Sequence, residues 1–351
     1  MKNFLIVLVA LILGAAGGYF AWKYLDVSGG KSGSKREKIT AAGYNQPFMW
    51  GVNVRPSPLR NYSIDTWIAQ MDYVKALGLH WIRLTFDYAP ANKFEIFDEM
   101  VNYANSQNIN VFLLLSSSKP ILSIDNTYQD GYQVASDVSS HYKGKVKYYQ
   151  LMSEQGSTAL KGADYSGENE SDYDTAKYEK VKEWMRGASD AIRKNDPGSY
   201  IVISDQWTHY AYLQMLQRDK IDYDITGWDW FGDMGQMKDQ KISDGTLLTD
   251  KLKSFNKPII LVEVNYRPGK TGMNEDKQAD YIQQMTTWAY NSDFIKGFFF
   301  HELVDLRPID DKPGDFYGLV KYKPASSGGY TFDDIRKVFG TYKDIVAQYS
   351  K

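Results

Sequence analysis

Two glutamates interrupt apolar runs. Glu154 follows Tyr148-Tyr149-Gln150-Leu151-Met152-Ser153, and Glu263 sits inside Pro258-Ile259-Ile260-Leu261-Val262-Glu263-Val264. A carboxylate in such a setting needs a reason, because burying an unpaired charge is very costly and the group tends to neutralise instead. One reason is structural, a Glu–Arg pair that staples the core. The other is chemical, since carboxyl groups held in dry surroundings are where perturbed acid–base behaviour collects. One glutamate of this kind leaves the two reasons balanced. Two of them, each near the C-terminal end of a predicted strand, favour chemistry.

The rest of the composition narrows what that chemistry is. The chain has 351 residues, 43% hydrophobic and 24% charged, enough for a sizeable core and unlike a disordered chain. Lys and Arg total 41 against 43 Asp and Glu, a balance that argues against nucleic-acid binding, which needs a basic surplus to release counterions. There are no cysteines, so thiolate nucleophiles, disulfides and Cys-ligated zinc are excluded, and four histidines leave little for a His-rich metal centre. The 9 Trp and 27 Tyr offer flat apolar faces with a polar edge, suited either to stacked ligand recognition or to an aromatic core.

Short apolar runs alternate with amphipathic stretches from Tyr44 onward. The predicted strands are Phe48–Val54, Trp81–Phe86, Asn110–Leu115, Lys147–Met152, Tyr200–Ser204, Tyr223–Trp228, Pro258–Val264 and Gly297–His301. Several are continuously apolar, as parallel strands buried on both faces are. Between them, Ile64, Trp67, Ile68, Met71, Val74 and Leu77 recur at helical spacing before a Gly78 stop, and Phe97, Met100, Val101 and Ala104 repeat the pattern. Further helices are expected over about Gly131–Tyr142, Asp174–Lys194, Thr208–Arg218, Thr246–Phe255, Glu275–Asn291 and Phe332–Tyr349. Eight strand-then-helix units predict a (β/α)8 barrel, an α/β fold with its site at the C-terminal ends of the strands. A doubly wound sheet would want a glycine-rich phosphate turn early on. The turns Asn53–Leu59 and Asp87–Ala91 contain no glycine.

On these residues the chain resembles the large clan of retaining glycoside hydrolases with (β/α)8 barrels, in the neighbourhood of the cellulase-like and xylosidase-like families. Strand four, running Tyr148-Tyr149-Gln150-Leu151-Met152-Ser153-Glu154, resembles the clan's aromatic and aliphatic run into Asn-Glu. Strand seven, Lys257-Pro258 and an apolar run to Glu263, resembles its Lys-Pro-apolar-Glu pattern. Trp81-Ile82-Arg83-Leu84 resembles the segment whose arginine contacts the nucleophile. Gly297-Phe298-Phe299-Phe300-His301-Glu302 and Gly318-Leu319-Val320 resemble the last strand and the stretch after it. The resemblance covers most of Tyr44–Tyr349. It implies that Glu154 is the general acid/base and Glu263 the nucleophile, held ionised by Arg83, about 5–5.5 Å apart and needing no metal or organic cofactor.

Ser153 departs from the pattern, because the clan usually has Asn there to hold the sugar's 2-hydroxyl. The shorter hydroxyl leaves open a different 2-substituent, a replacement donor such as Gln206, or weakened catalysis. Strand six also departs, with Gly227-Trp228-Asp229-Trp230 where His or Asn and Tyr are commoner. Trp228, Trp230, Trp207, Tyr266 and Trp50 lie near strand ends, either as stacking surfaces for sugar rings or as barrel packing. His301, Glu302 and Asp305 at strand eight are candidates for ligand contact or for a structural network, and Asn53 and Arg55 are weaker ones. The acidic loop Gln155–Asp172 is expected to cap the cleft, with a solvated insertion as the alternative.

Upstream, Phe4–Trp22 is free of charge over 19 residues, long enough for a bilayer core. It reads as a membrane anchor ending in an aromatic cluster, with cleavage at Gly14-Ala15-Ala16 as the signal-peptide alternative. Lys23, Lys31, Lys35, Arg36 and Lys38 outnumber Lys2 and the amino terminus, which by the positive-inside rule opposes export of the barrel. The expected organisation is an anchor or signal over 1–23, a Gly/Ser/Lys tether over 24–43 and a barrel over 44–351. The function expected is a membrane-tethered, extracytoplasmic glycosidase acting on a polysaccharide or oligosaccharide. A glycan-binding barrel that has lost turnover is the alternative.

Overall fold

The computed structural model describes residues 39–54, 64–86, 94–267, 274–305, 318–324 and 330–350. The apolar Phe4–Trp22 segment and Arg55 lie outside the described residues, and no described helix is long and apolar enough to cross a membrane. Residues 39–351 form one compact unit.

Eight parallel strands close in chain order into a barrel. β1 (Met49–Val54) leads to α1 (Ile64–Ala76), β2 (Trp81–Phe86) to α2 (Glu95–Ser106), and β3 (Asn110–Leu115) to α3 (Thr127–His141). β4 (Tyr148–Leu151) is followed by a short α4 (Gln155–Ala159) and the long α5 (Thr175–Asn195). β5 (Tyr200–Gln206), α6 (Tyr210–Arg218), β6 (Ile225–Phe231) and α7 (Leu248–Lys253) follow, then β7 (Ile259–Asn265), α8 (Glu275–Asn291) and β8 (Ile295–Phe300). Side chains cap the longer helices where the backbone N–H groups are otherwise orphaned. Asn126 accepts from the Gln129 N–H, Asp174 from Lys177 and Asn274 from Lys277, each at 3.0 Å.

The C-terminal segment differs from expectation. The helix read over Phe332–Tyr349 is a strand and then a helix: β10 (Tyr330–Ile335) pairs antiparallel with β9 (Val320–Pro324), and α9 spans only Lys337–Tyr349. The β-prone Tyr330-Thr331-Phe332 run has a partner strand here, and a ladder partner overrides the weaker helical spacing. Asp305 is the anchor of this corner. Its carboxylate takes both guanidinium nitrogens of Arg336 at 2.7 and 2.8 Å and the Gly318 N–H at 2.7 Å. Of the two readings open for Asp305, the structural network is the one realised.

Alternate residues of each strand face the lumen. Met49, Phe112, Tyr148, Val202, Ile225, Ile260, Val262 and Phe299 fill its lower part together with Tyr44, whose hydroxyl meets that of Tyr148 at 2.9 Å. Gly51 makes room for Phe299, since a Cβ there would come within 2.3 Å of its ring. The other strand faces pack against the helices in a second, larger apolar layer. That layer holds Trp50, Trp228 and Trp230, the last two wholly buried. The expectation that these three tryptophans present stacking faces to a ligand is therefore corrected. The lumen-facing residues of β6 are Ile225, Gly227 and Asp229, so strand alternation turns Trp228 and Trp230 outward.

Candidate active site

Strict alternation would also aim Glu263 outward, because Ile260 and Val262 both face the lumen. A bulge prevents it. Leu261 pairs with Trp228 but Glu263 pairs with Asp229, so β7 carries one residue more than β6 at this point. The register against β8 slips at the same place, between Leu261 and Val264. Bulges re-aim side chains near functional sites, and here Val262 and Glu263 both enter the lumen. On the facing side β4 ends at Leu151, and Met152 and Glu154 adopt left-handed backbone, with φ of 49° and 52°. Non-glycine residues rarely do so, and such strain concentrates at functional positions. Gly156 holds this turn down. Its N–H donates to Asp205 Oδ2 at 2.8 Å, so close that a Cβ at position 156 would sit 2.1 Å from that oxygen.

These devices bring Glu154, Asp229 and Glu263 together, with one carboxylate oxygen of each within 4.8 Å of the others. Their settings differ. Glu263 Oε1 accepts from Arg83 Nη1 at 2.6 Å, and Oε2 lies 3.1 Å from His301 Nδ1. Arg83 is itself clamped: Nε donates to Gln150 Oε1 at 2.8 Å and Nη1 to Asn53 Oδ1 at 2.5 Å. Asn53 also donates to the carbonyls of Val262 at 2.8 Å and Phe300 at 3.2 Å, tying β1 across to the bulge. Glu154 has no such cation in hydrogen-bonding contact among the described residues. Burial, then the negative charge of Glu263, pushes its pKa from the usual 4.5 up to about 7, against an opposing hydrogen bond with Asp229. Asp229, wholly buried, is pushed well above the usual carboxylate range by burial and then by Glu263 and Glu154.

The three carboxyl groups are close enough to one another to touch one cation, and one of them, Glu263, is already held by a guanidinium.

Ser153 points into the same network. Its hydroxyl donates to Asp229 Oδ2 at 3.3 Å and lies within 3.4 Å of Gln150 Nε2 and Ser204 Oγ, while Arg83 Nη2 donates to it at 3.3 Å. Gln206, the candidate replacement donor, gives its amide to Ser157 Oγ at 3.1 Å. Trp207 and Tyr266 are half-buried at the C-terminal ends of β5 and β7, with Trp207 stacked on Trp230 at 5.8 Å. His301 and Glu302 are buried at the end of β8. The Gln155–Asp172 segment is tied down at several points. Glu168 accepts from the Ser243 N–H at 2.8 Å, and Thr208 donates to the Ser166 carbonyl at 2.8 Å.

Sequence reasoning missed Asp229 and Gln150 as site residues. The signal was present, because each is a polar side chain on the lumen face of an apolar strand, the criterion that singled out the glutamates.

Comparison with known proteins bears on this arrangement through the fold. No protein-family model matches the chain, and no curated protein matches it in sequence. Solved structures do. A beta-glucosidase from Thermotoga maritima in complex with galacto-hydroximolactam superposes with a TM-score of 0.66 at 10% identity, covering 87% of this chain and 99% of that one. The complex of a Thermotoga maritima beta-glucosidase with glucoimidazole gives 0.65 at 11%, with the same coverage. A family 1 beta-glucosidase of that organism gives 0.66 at 10%, again covering 87% and 99%. The likeness is one of fold. These neighbours are TIM barrels, and the chain matches them over 87% of its length with a closed parallel barrel of its own.

Proposed function

We propose that this chain is a retaining glycoside hydrolase in which Glu263 is the nucleophile and Glu154 the general acid/base. The observation that carries the reading is the pair's asymmetry at short range. Two glutamates at the C-terminal ends of β4 and β7 approach within 4.8 Å, one gripped by Arg83 and the other half-buried with its pKa raised to about 7. Retaining enzymes hold their carboxyl groups about 5–5.5 Å apart, whereas inverting enzymes leave about 6.5–9.5 Å for a water. Environments that push two carboxyl pKa values apart assign the roles. Glu263 attacks the anomeric carbon while Glu154 gives its proton to the departing oxygen. Glu154 then takes a proton from the water that displaces Glu263.

Arg83 keeps the nucleophile charged, and the clamp from Asn53 and Gln150 keeps Arg83 in place. The half-buried faces of Trp207 and Tyr266 are proposed to contact the sugar. The fold neighbours are beta-glucosidases, so a β-linked oligosaccharide or polysaccharide is the substrate class to try first. The Phe4–Trp22 segment is proposed to tether the barrel at a membrane, outside the cytoplasm, a placement tested by membrane extraction and protease accessibility.

One observation favours the glycan-binding alternative. The Ser153 hydroxyl is engaged by Arg83 and Asp229, which leaves it poorly placed to hold a sugar hydroxyl. Assay of a panel of aryl β-glycosides and β-linked glycans decides between the two readings. Cleavage by the wild type that disappears in Glu263→Gln supports the hydrolase. Binding without cleavage across the panel supports the alternative.

A further inference from the structure

The third carboxyl group has no part in the mechanism above, yet it lies at the centre of the site. Asp229 is wholly buried. Its Oδ2 accepts the Ser153 hydroxyl at 3.3 Å, while its Oδ1 is buried with no backbone, amide, guanidinium or hydroxyl donor among the described residues. A buried carboxylate oxygen without a donor costs free energy, of order 1–3 kcal/mol and more for a charged group. The same oxygen carrying a proton becomes a donor. The Glu154 carboxyl lies in the same cluster and is the side chain to which Asp229 is hydrogen-bonded.

The charged and titratable groups facing this pair are Arg83 from β2, Asp205 from β5, Glu263 from β7, Arg267 just past β7, and His301, beside Glu263, just past β8. Arg83, the cation that acts on Asp229, is already paired with Glu263 at 2.6 Å. A third negative charge would stand beside Glu154 and Glu263 without a cation of its own.

We propose that Asp229 is a positioning residue for Glu154: a neutral carboxylic acid that keeps its own proton and donates a hydrogen bond to the Glu154 carboxyl. The inference rests on the glycosidase reading for its catalytic meaning, but the protonation state it assigns stands apart from that reading. Its use lies in the two jobs Glu154 must do. Once Glu154 has passed its proton to the leaving oxygen, it is a carboxylate in dry surroundings, and the Asp229 O–H stabilises that form. The proton count closes within Glu154 alone, which is reprotonated by the incoming water while Asp229 retains its proton throughout. Without this donor, Glu154 would hold its proton too tightly to give it up readily as the acid of the first step. The direction of the Asp229 effect on Glu154, which is downward, agrees with a donor.

Three measurements test the proposal. In infrared difference spectra of the ligand-free protein at about pH 8, above the pKa of Glu154, the wild type should keep a protonated-carboxyl band. That band should be lost in Asp229→Asn and retained in Glu154→Gln. In pH–rate profiles, Asp229→Asn keeps a neutral donor, so its basic limb should stay within about 0.3 units of the wild type. Asp229→Ala removes the donor, so the limb should move up by about one unit, and kcat/KM on glycosides with poor leaving groups should fall about tenfold. A basic limb displaced downward by a unit in Asp229→Asn would mean that Asp229 is ionised and overturns the proposal. So would an unchanged profile in Asp229→Ala, or a spectrum without the Asp229 band. If Asp229→Ala does not fold, the asparagine variant and the spectra still decide. If the wild type cleaves nothing, the glycosidase reading fails, while the spectra report on Asp229 regardless.

Discussion

Glu154 and Glu263 are the same side chain in two electrostatic settings, and the difference has consequences for stability as well as for chemistry. The folded-state pKa of Glu154 lies above its ordinary value. Its favourable contribution is therefore fully present below about pH 4.5 and is lost as the pH climbs through about 7. Glu154→Gln cannot ionise, so it should be more stable than the wild type at about pH 8, by on the order of 2–3 kcal/mol, and equal to it near pH 4. Urea unfolding at the two pH values checks this. The same variant should slow substrates with poor leaving groups most, and azide should restore turnover of those with activated ones. Arg83 is the opposite case. Its side chain is 2% exposed, and Arg83→Met would leave Glu263 in a largely buried place without its cation, at a cost of about 3–5 kcal/mol. Arg83→Lys keeps the charge but not the fork that reaches Asn53, Gln150 and Glu263 together, so it should fold and be slow. Thermal melts set against kcat separate the two variants.

At the scale of elements, what the sequence made legible was periodicity, and what it hid was local departure from periodicity. Continuous apolar runs such as Val111-Phe112-Leu113-Leu114-Leu115 and Ile259-Ile260-Leu261-Val262 placed the strands to within a few residues, because a strand buried on both faces has few other compositions. Glu154 and Glu263 were legible for the same reason, as polar interruptions of those runs. The bulge at Val262 and Glu263 was not, since an inserted residue leaves no mark in composition and is defined only by the partner strand's register. The outward turn of Trp228 and Trp230 followed from the inward turn of Asp229, and recognising Asp229 as a lumen residue would have placed all three. The helix expected at Phe332–Ile335 became a strand because its partner, Val320–Pro324, lies beyond any local window. Helix packing makes its own prediction where α3 crosses α5. A Cβ at Gly131 would come within 2.1 Å of the Trp184 carbonyl oxygen, and one at Gly187 within 2.1 Å of the Tyr128 carbonyl oxygen. Backbone cannot yield as a side-chain tip does. Gly131→Ala and Gly187→Ala should each destabilise by about 1–3 kcal/mol or more, whereas Gly340→Ala, which meets open space inside α9, should not.

The whole barrel is what makes residues so distant in sequence into one site. Arg83, Asp229 and Glu263 lie on β2, β6 and β7, Ser153 and His301 lie just past β4 and β8, and closure in chain order sets the C-terminal ends of these five strands around one opening. Inner and outer layers divide the labour: the aromatic lumen below and the sheet–helix layer outside keep water away from the carboxyl groups, which is the first cause of the raised Glu154 pKa. On the proposed mechanism Glu154 enters the first step in its protonated form, so kcat/KM should fall about tenfold per pH unit above about 7. Initial-rate profiles on a glycoside with a poor leaving group read this directly. The central claim, that Glu263 forms a covalent bond to the sugar, is tested most directly by trapping. The protein should be incubated with a panel of 2-deoxy-2-fluoro β-glycosides bearing good leaving groups, then examined by intact mass and peptide mapping. The account predicts a single added glycosyl unit on the peptide carrying Glu263, absent in Glu263→Gln. An unlabelled Glu263 across the panel, or a label on another carboxylate in protein that still cleaves, would contradict it.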